Sequence, residues 1–122
     1  MSVNVAVWDA VQDTLGVDIT AALITGQARI CKARAKFFEY DADPQNAPVE
    51  VIKRFNFVTK IVFLLEGSYN DFGIQRWFLR KRAQLDDASP LEILKGDWDP
   101  QDPEPQKVLK LAKETYGGQS AT

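Results

Sequence analysis

Histidine is absent from all 122 residues, and cysteine occurs once, at Cys31. With no imidazole to move protons near neutral pH, the Ser-His-Asp and Cys-His arrangements of hydrolases have no base. A zinc site would have to be built from carboxylates and one thiol. A disulfide within the chain is excluded. The seven glycines are scattered, and Gly117-Gly118 lies beside the tail instead of between a strand and a helix, so no phosphate-cradling loop is present. No apolar run approaches the roughly 20 residues that cross a bilayer, and the start of the chain lacks the basic and apolar segments of a secretory signal. These absences predict a cytoplasmic protein that is not an enzyme and uses neither metal nor cofactor.

What is present is enough for one compact core: 45% of the chain is apolar, which suits one domain with two halves. The formal charge of -2 hides an asymmetry. Residues 1–82 hold 11 Lys/Arg against 9 Asp/Glu, and residues 83–122 hold 4 against 8, so a basic partner surface belongs before Ala83. Carboxylates cluster at Asp86-Asp87 and across Asp97, Asp99 and Asp102, but among Pro, Gly and Ser they read as solvated turns.

Helical periodicity runs through nearly all of the chain, without the alternation of a half-buried strand. The fold predicted is all-α, a small domain of about six or seven helices. Behind Pro48, the residues Val51, Ile52, Phe55, Val58, Ile61, Val62 and Leu65 recur at three- and four-residue steps and predict a central helix over 49–66. A second helix carries Phe72, Ile74, Trp77 and Phe78 toward Arg82, with Arg80, Lys81 and Arg82 placed to offset its dipole. Ser89-Pro90-Leu91-Glu92 forms a capping box for a short helix that Gly96 closes. Asp97 to Pro105, with three prolines and four acids, reads as an extended linker. A last helix over 105–116 presents Val108, Leu109, Leu111, Ala112 and Tyr116 as its apolar stripe, and Gly117 to Thr122 reads as a disordered tail.

The first 40 residues read as three short helices with tight turns. Gly16 stops the first, Asp18 caps the second over Ile19 to Ile24, and Gly26 turns the chain into a third, over about Gln27 to Phe38. Arg29, Lys32, Arg34 and Lys36 stand on this third helix with no acid between them. Arg29, Lys32 and Lys36 fall within about 60° of one another, while Ile30 and Phe37 occupy an adjacent face. Two readings stand open: a recognition helix in a DNA major groove, with Gln27 at its start reaching a base, or a solvated basic helix. Cys31 on the same helix reads as a small packing residue. Trp77 reads as core, and Trp98, flanked by acids, either covers the end of the core or anchors a partner.

From Val51 to Gly118 the chain resembles the toxin-binding domain of Xre/MbcA/ParS-type antitoxins. The resemblance rests on the long apolar helix from Val51 to Leu65, Trp77 on the next helix, Leu85 in the following turn, Ser89-Pro90-Leu91 through Leu94, Gly96, and Val108-Leu109. Members of that family often begin with a degenerate helix-turn-helix, which divides this chain into a helix-turn-helix-like region at 1–47, a toxin-binding region at 48–118 and a flexible tail at 119–122. The resemblance implies an antitoxin that neutralises a cognate toxin by direct contact. The toxins typically carry a RES domain that destroys NAD or transfers ADP-ribose. Operator DNA is the second implied partner, bound by an oligomer such as a homodimer, and no membrane is involved. In several such pairs the last helix and tail block the toxin's cleft, which corresponds by position to Lys113, Tyr116, Gly117, Gly118 and Gln119, with Trp98 as a further anchor. The DNA-contacting set would be Gln27, Arg29, Lys32, Arg34 and Lys36. The alternative is a stand-alone helix-turn-helix regulator of phage or mobile-element origin, and a third reading is a helical adaptor.

Overall fold

A computed structural model describes residues 3–118. Among the described residues the protein is all-α, with seven α-helices: α1 (Val5–Leu15), α2 (Val17–Ile24), α3 (Ile30–Ala42), α4 (Val49–Glu66), α5 (Asp71–Leu79), α6 (Pro90–Ile93) and α7 (Pro103–Gly118). Single 3₁₀ turns at Pro44–Asn46 and Ala83–Leu85 complete it. None of these helices is long and apolar enough to cross a membrane.

The chain organises around α4. Every member of its apolar stripe, from Val51 to Leu65, is buried, and Phe57 joins them. Each such side chain contributes roughly 1.5–3 kcal/mol when withdrawn from water. α4 packs against α1, α2, α5 and α7, so one continuous core runs from Val3 to Ala112 and serves both halves of the sequence.

Trp8 joins α1 to the elements around it. Its ring stacks on Phe37 of α3 at 5.6 Å and leans on Phe55 of α4 at 4.9 Å. Its indole N–H donates to Asp41 at 2.8 Å, satisfying the polar end of an otherwise apolar side chain. That anchor accounts for α3 running on to Ala42 instead of stopping at Phe38.

Local signals behave as their chemistry requires. Asn4 and Asn70 accept from Val7 and Gly73 to start α1 and α5, and Ser89 and Glu92 form both bonds of the capping box. Helix α2 begins one residue before Asp18, with Gly16 at its cap, so Asp18 sits in the first turn and is not the cap.

Helix α5 ends at Leu79, earlier than the periodicity predicts. Arg80 to Arg82 therefore stand in extended chain, because the Arg82 N–H is taken by the Ala88 carbonyl at 3.1 Å. Asp86 and Asp87 adopt φ of 56° and 65° in the turn between, a conformation Asp tolerates better than most residues. Asp97 to Pro105 is not an extended linker. Asp102 accepts from the Asp99 N–H, Gln106 donates to the Pro100 carbonyl, and α7 already starts at Pro103. At its other end α7 continues through Gly118, so Gly117 and Gly118 belong to the helix instead of a flexible tail. Residues 119–122, including Gln119, lie outside the described residues.

Candidate functional site

The turn between α2 and α3 is built by residues far away in sequence. The last carbonyls of a helix lack partners of their own. Here the Trp98 indole donates to the Leu23 carbonyl at 2.8 Å, and Arg54 of α4 reaches the Ile24 carbonyl at 3.4 Å. The same guanidinium donates from Nε to the Trp98 carbonyl at 2.8 Å and from Nη2 to Asp97 at 2.5 Å. A cation at the C-terminal end of α2 also opposes its dipole.

Arg54 is 4% exposed, and a buried guanidinium is tolerated only when its donors are met. Gly26 completes the arrangement. Its φ is +79°, and a Cβ there would lie 2.9 Å from Arg54 Nη1. Trp98 is thus a core residue, 6% exposed and edge-on to Phe57 at 5.3 Å. Its expected role as a partner anchor is corrected, since both its ring and its N–H are used inside the fold. Asp97, expected to be a solvated turn residue, is the counter-ion of Arg54, although its side chain stays open to solvent.

The cations of α3 meet different fates. The helix starts at Ile30, with Gly26 to Arg29 forming the turn, so Gln27 is not at a helix start and lies half-buried in that turn. Arg29 is the residue before the first helical turn, and it is exposed. Arg34 forms a two-pronged ion pair with Asp18 of α2, at 2.7 and 2.9 Å. The Arg34 hydrogen bond holds the Asp18 carboxyl below the ordinary carboxylate range, and Asp18 raises Arg34 in turn. Lys36 pairs with Glu39 at 3.6 Å. Arg29 and Lys32 are the cations of this group without an ion pair among the described residues. Ile30, expected on the buried face, is 45% exposed, and only Ala33 and Phe37 of α3 are buried. Cys31 is exposed and does not pack in the core. The surface is therefore less cationic than the sequence implies, because Asp18 of a neighbouring helix and Glu39, further along α3 itself, neutralise two of its cations.

On α7, Val108, Leu109, Leu111 and Ala112 are buried against the core. Tyr116 leaves the predicted stripe and is 57% exposed, its ring 3.7 Å from where a Cβ on Gly67 would sit. Lys113 is exposed beside it in sequence.

A third surface lies at the end of α5. A pocket of about 520 Å³ is lined by Tyr69, Gly73, Arg76, Trp77, Arg80 and Arg82, with Leu79 at its side. Arg82 lies over the Trp77 ring at 5.0 Å and donates to the Trp77 carbonyl at 3.3 Å; Arg76 lies over Phe72 at 5.5 Å. Burial, and then the nearby Arg80 charge, lowers the Arg82 pKa. Trp77 Nε1 and Arg82 Nε are buried with no acceptor among the described residues.

Sequence reasoning missed Arg54 and this pocket. A cation inside the apolar stripe of α4 was the available signal for Arg54. No local signal connects Tyr69 with Arg82 across an entire helix. No family model matches the chain, and comparison with curated proteins and with solved structures finds no match.

Proposed function

We propose that this protein is an antitoxin-like binding protein that acts by contact and not by catalysis, presenting the C-terminal part of α7 to a toxin of the RES type. The observation that carries this reading is the division of α7. Its inner face is held in the core by Val108 and Ala112, while Lys113 and Tyr116 stand exposed at its far end. A helix fixed along one side, with an exposed aromatic near its end, can offer an anchor without first paying the entropy of ordering a loose segment. The resemblance of Val51 to Gly118 to antitoxin toxin-binding domains supports the same reading.

Growth rescue tests it. Where a RES-type toxin is encoded beside this gene, co-expression with it should restore growth, and Tyr116→Ala should weaken rescue while leaving the helical signal unchanged; a neighbourhood with no such gene counts against the reading. Full toxicity in the presence of the intact protein would overturn the reading. A stand-alone DNA-binding regulator is the second reading, favoured by Arg29 and Lys32 beside the α2–α3 turn, which are exposed and form no ion pair among the described residues. It predicts salt-dependent binding to promoter DNA that falls when both are changed to Ala.

A further inference from the structure

We propose that the pocket at the end of α5 is a binding site for a phosphate monoester carried on a flat aromatic group, of about mononucleotide size. Its three arginines are distinct from the α3 cations, and none of the four ion pairs among the described residues includes them. Two of them are already oriented. Arg82 is held on the Trp77 face, with Nη2 on the Trp77 carbonyl and Nε buried, and Arg76 is held on the Phe72 face, which removes rotamer entropy that binding would otherwise have to cost.

Guanidinium edges match the paired oxygens of an oxyanion. Several converging on one pocket suit a dianion better than a single carboxylate, and a phosphate monoester carries about -1.5 to -2 charge with three strong acceptor oxygens. The pocket volume, about 520 Å³, falls among those of small-molecule sites. Tyr69 and Leu79, which are 40% and 53% exposed, provide the apolar wall for the remainder of the ligand. The two unsatisfied donors, on Trp77 and Arg82, place a local destabilisation at this pocket, which is common where structure serves binding.

The experiment uses the full chain and adenosine 5′-monophosphate, with adenosine, inorganic phosphate and an acidic peptide as separate arms. The three indole N–H signals are followed by NMR. Those of Trp8 and Trp98 are hydrogen-bonded to Asp41 and Leu23, so Trp77 is distinguishable and is assigned with Trp77→Phe. The monophosphate should bind saturably and shift Trp77 alone. Inorganic phosphate should shift the same signal more weakly, and adenosine should not.

Arg80→Ala, an exposed position, should weaken monophosphate binding about tenfold or more, the scale of one lost charge-assisted bond. Arg29→Ala with Lys32→Ala should leave it unchanged. The proposal is overturned if the monophosphate shifts no indole, if Arg80→Ala binds as the parent does, or if the acidic peptide alone binds. Equal affinity for phosphate and monophosphate would overturn the aromatic part of the ligand.

Discussion

Replacing Trp98 by Phe distinguishes a core latch from a surface anchor. The phenyl ring can retain much of the contact with Phe57, now 5.3 Å between ring centres, but it cannot donate to the Leu23 carbonyl, now 2.8 Å from the indole nitrogen. Leu23 is fully buried, so its carbonyl would lose its donor in a place water does not reach. An orphaned buried group of this kind costs roughly 1–3 kcal/mol. For a domain of this length that is a fall in Tm of roughly 4–15 °C. The larger truncation, Trp98→Ala, adds a cavity and should cost about 3–5 kcal/mol, a large fraction of the whole stability of such a domain. Far-ultraviolet circular dichroism should be used for the melts, since the substitution removes a fluorophore. Hydrogen exchange should also quicken where α2 ends at the α2–α3 turn, because the same indole and Arg54 hold the Leu23 and Ile24 carbonyls there. A Tm for Trp98→Phe within about 2 °C of the parent, with unchanged exchange in that turn, would refute the reasoning and return Trp98 to the surface.

Gly26→Ala should destabilise by about 1–3 kcal/mol in urea unfolding, since the left-handed backbone is strained for Ala and its methyl group would press on a guanidinium that has no free direction to move. Ser89→Ala should cost about 0.5–2 kcal/mol, as for other lost N-caps; an unchanged midpoint would remove the capping box as a contributor. The Ser89 backbone N–H lowers the Glu92 carboxyl below its ordinary value near 4.5. Its stabilisation is therefore complete above that range and lost as pH falls through the lowered value, so Glu92→Ala should remove part of the acid-side loss of stability. The same rule gives Asp18 an acid-side contribution through Arg34, and Arg34→Ala should raise the Asp18 titration midpoint seen by NMR.

Much of the fold was legible because it is written locally. The three- and four-residue steps of Val51 to Leu65 fall on one face of any helix, and a Ser-Pro-Leu-Glu run offers its own start signal. Helix ends were less legible. Arg80 to Arg82 continue the helical pattern, but the Arg82 N–H bonds to Ala88 instead of to the preceding turn. Gln27 and Ile30 were misplaced because the Gly26 turn takes up more chain than its single glycine indicates.

The candidate surfaces divide in the same way. Which residues are cationic, and that α7 carries Tyr116 near its end, follow from the sequence alone. Whether Arg34 is available to a partner depends on Asp18 being brought alongside it from α2, whereas Lys36 meets Glu39 one turn further along its own helix.

By itself the sequence determined the helical class, the position of the central helix, the capped turn at Ser89 and the absence of imidazole chemistry, since each follows from side-chain type and short-range spacing. Only the tertiary structure decided that Trp98 is inside, that Arg54 holds the α2–α3 turn, and that Tyr69 and three arginines share one pocket. Those outcomes depend on contacts between residues such as Leu23 and Trp98, whose meeting is set by the packing of the whole core and not by any feature of the chain near either one.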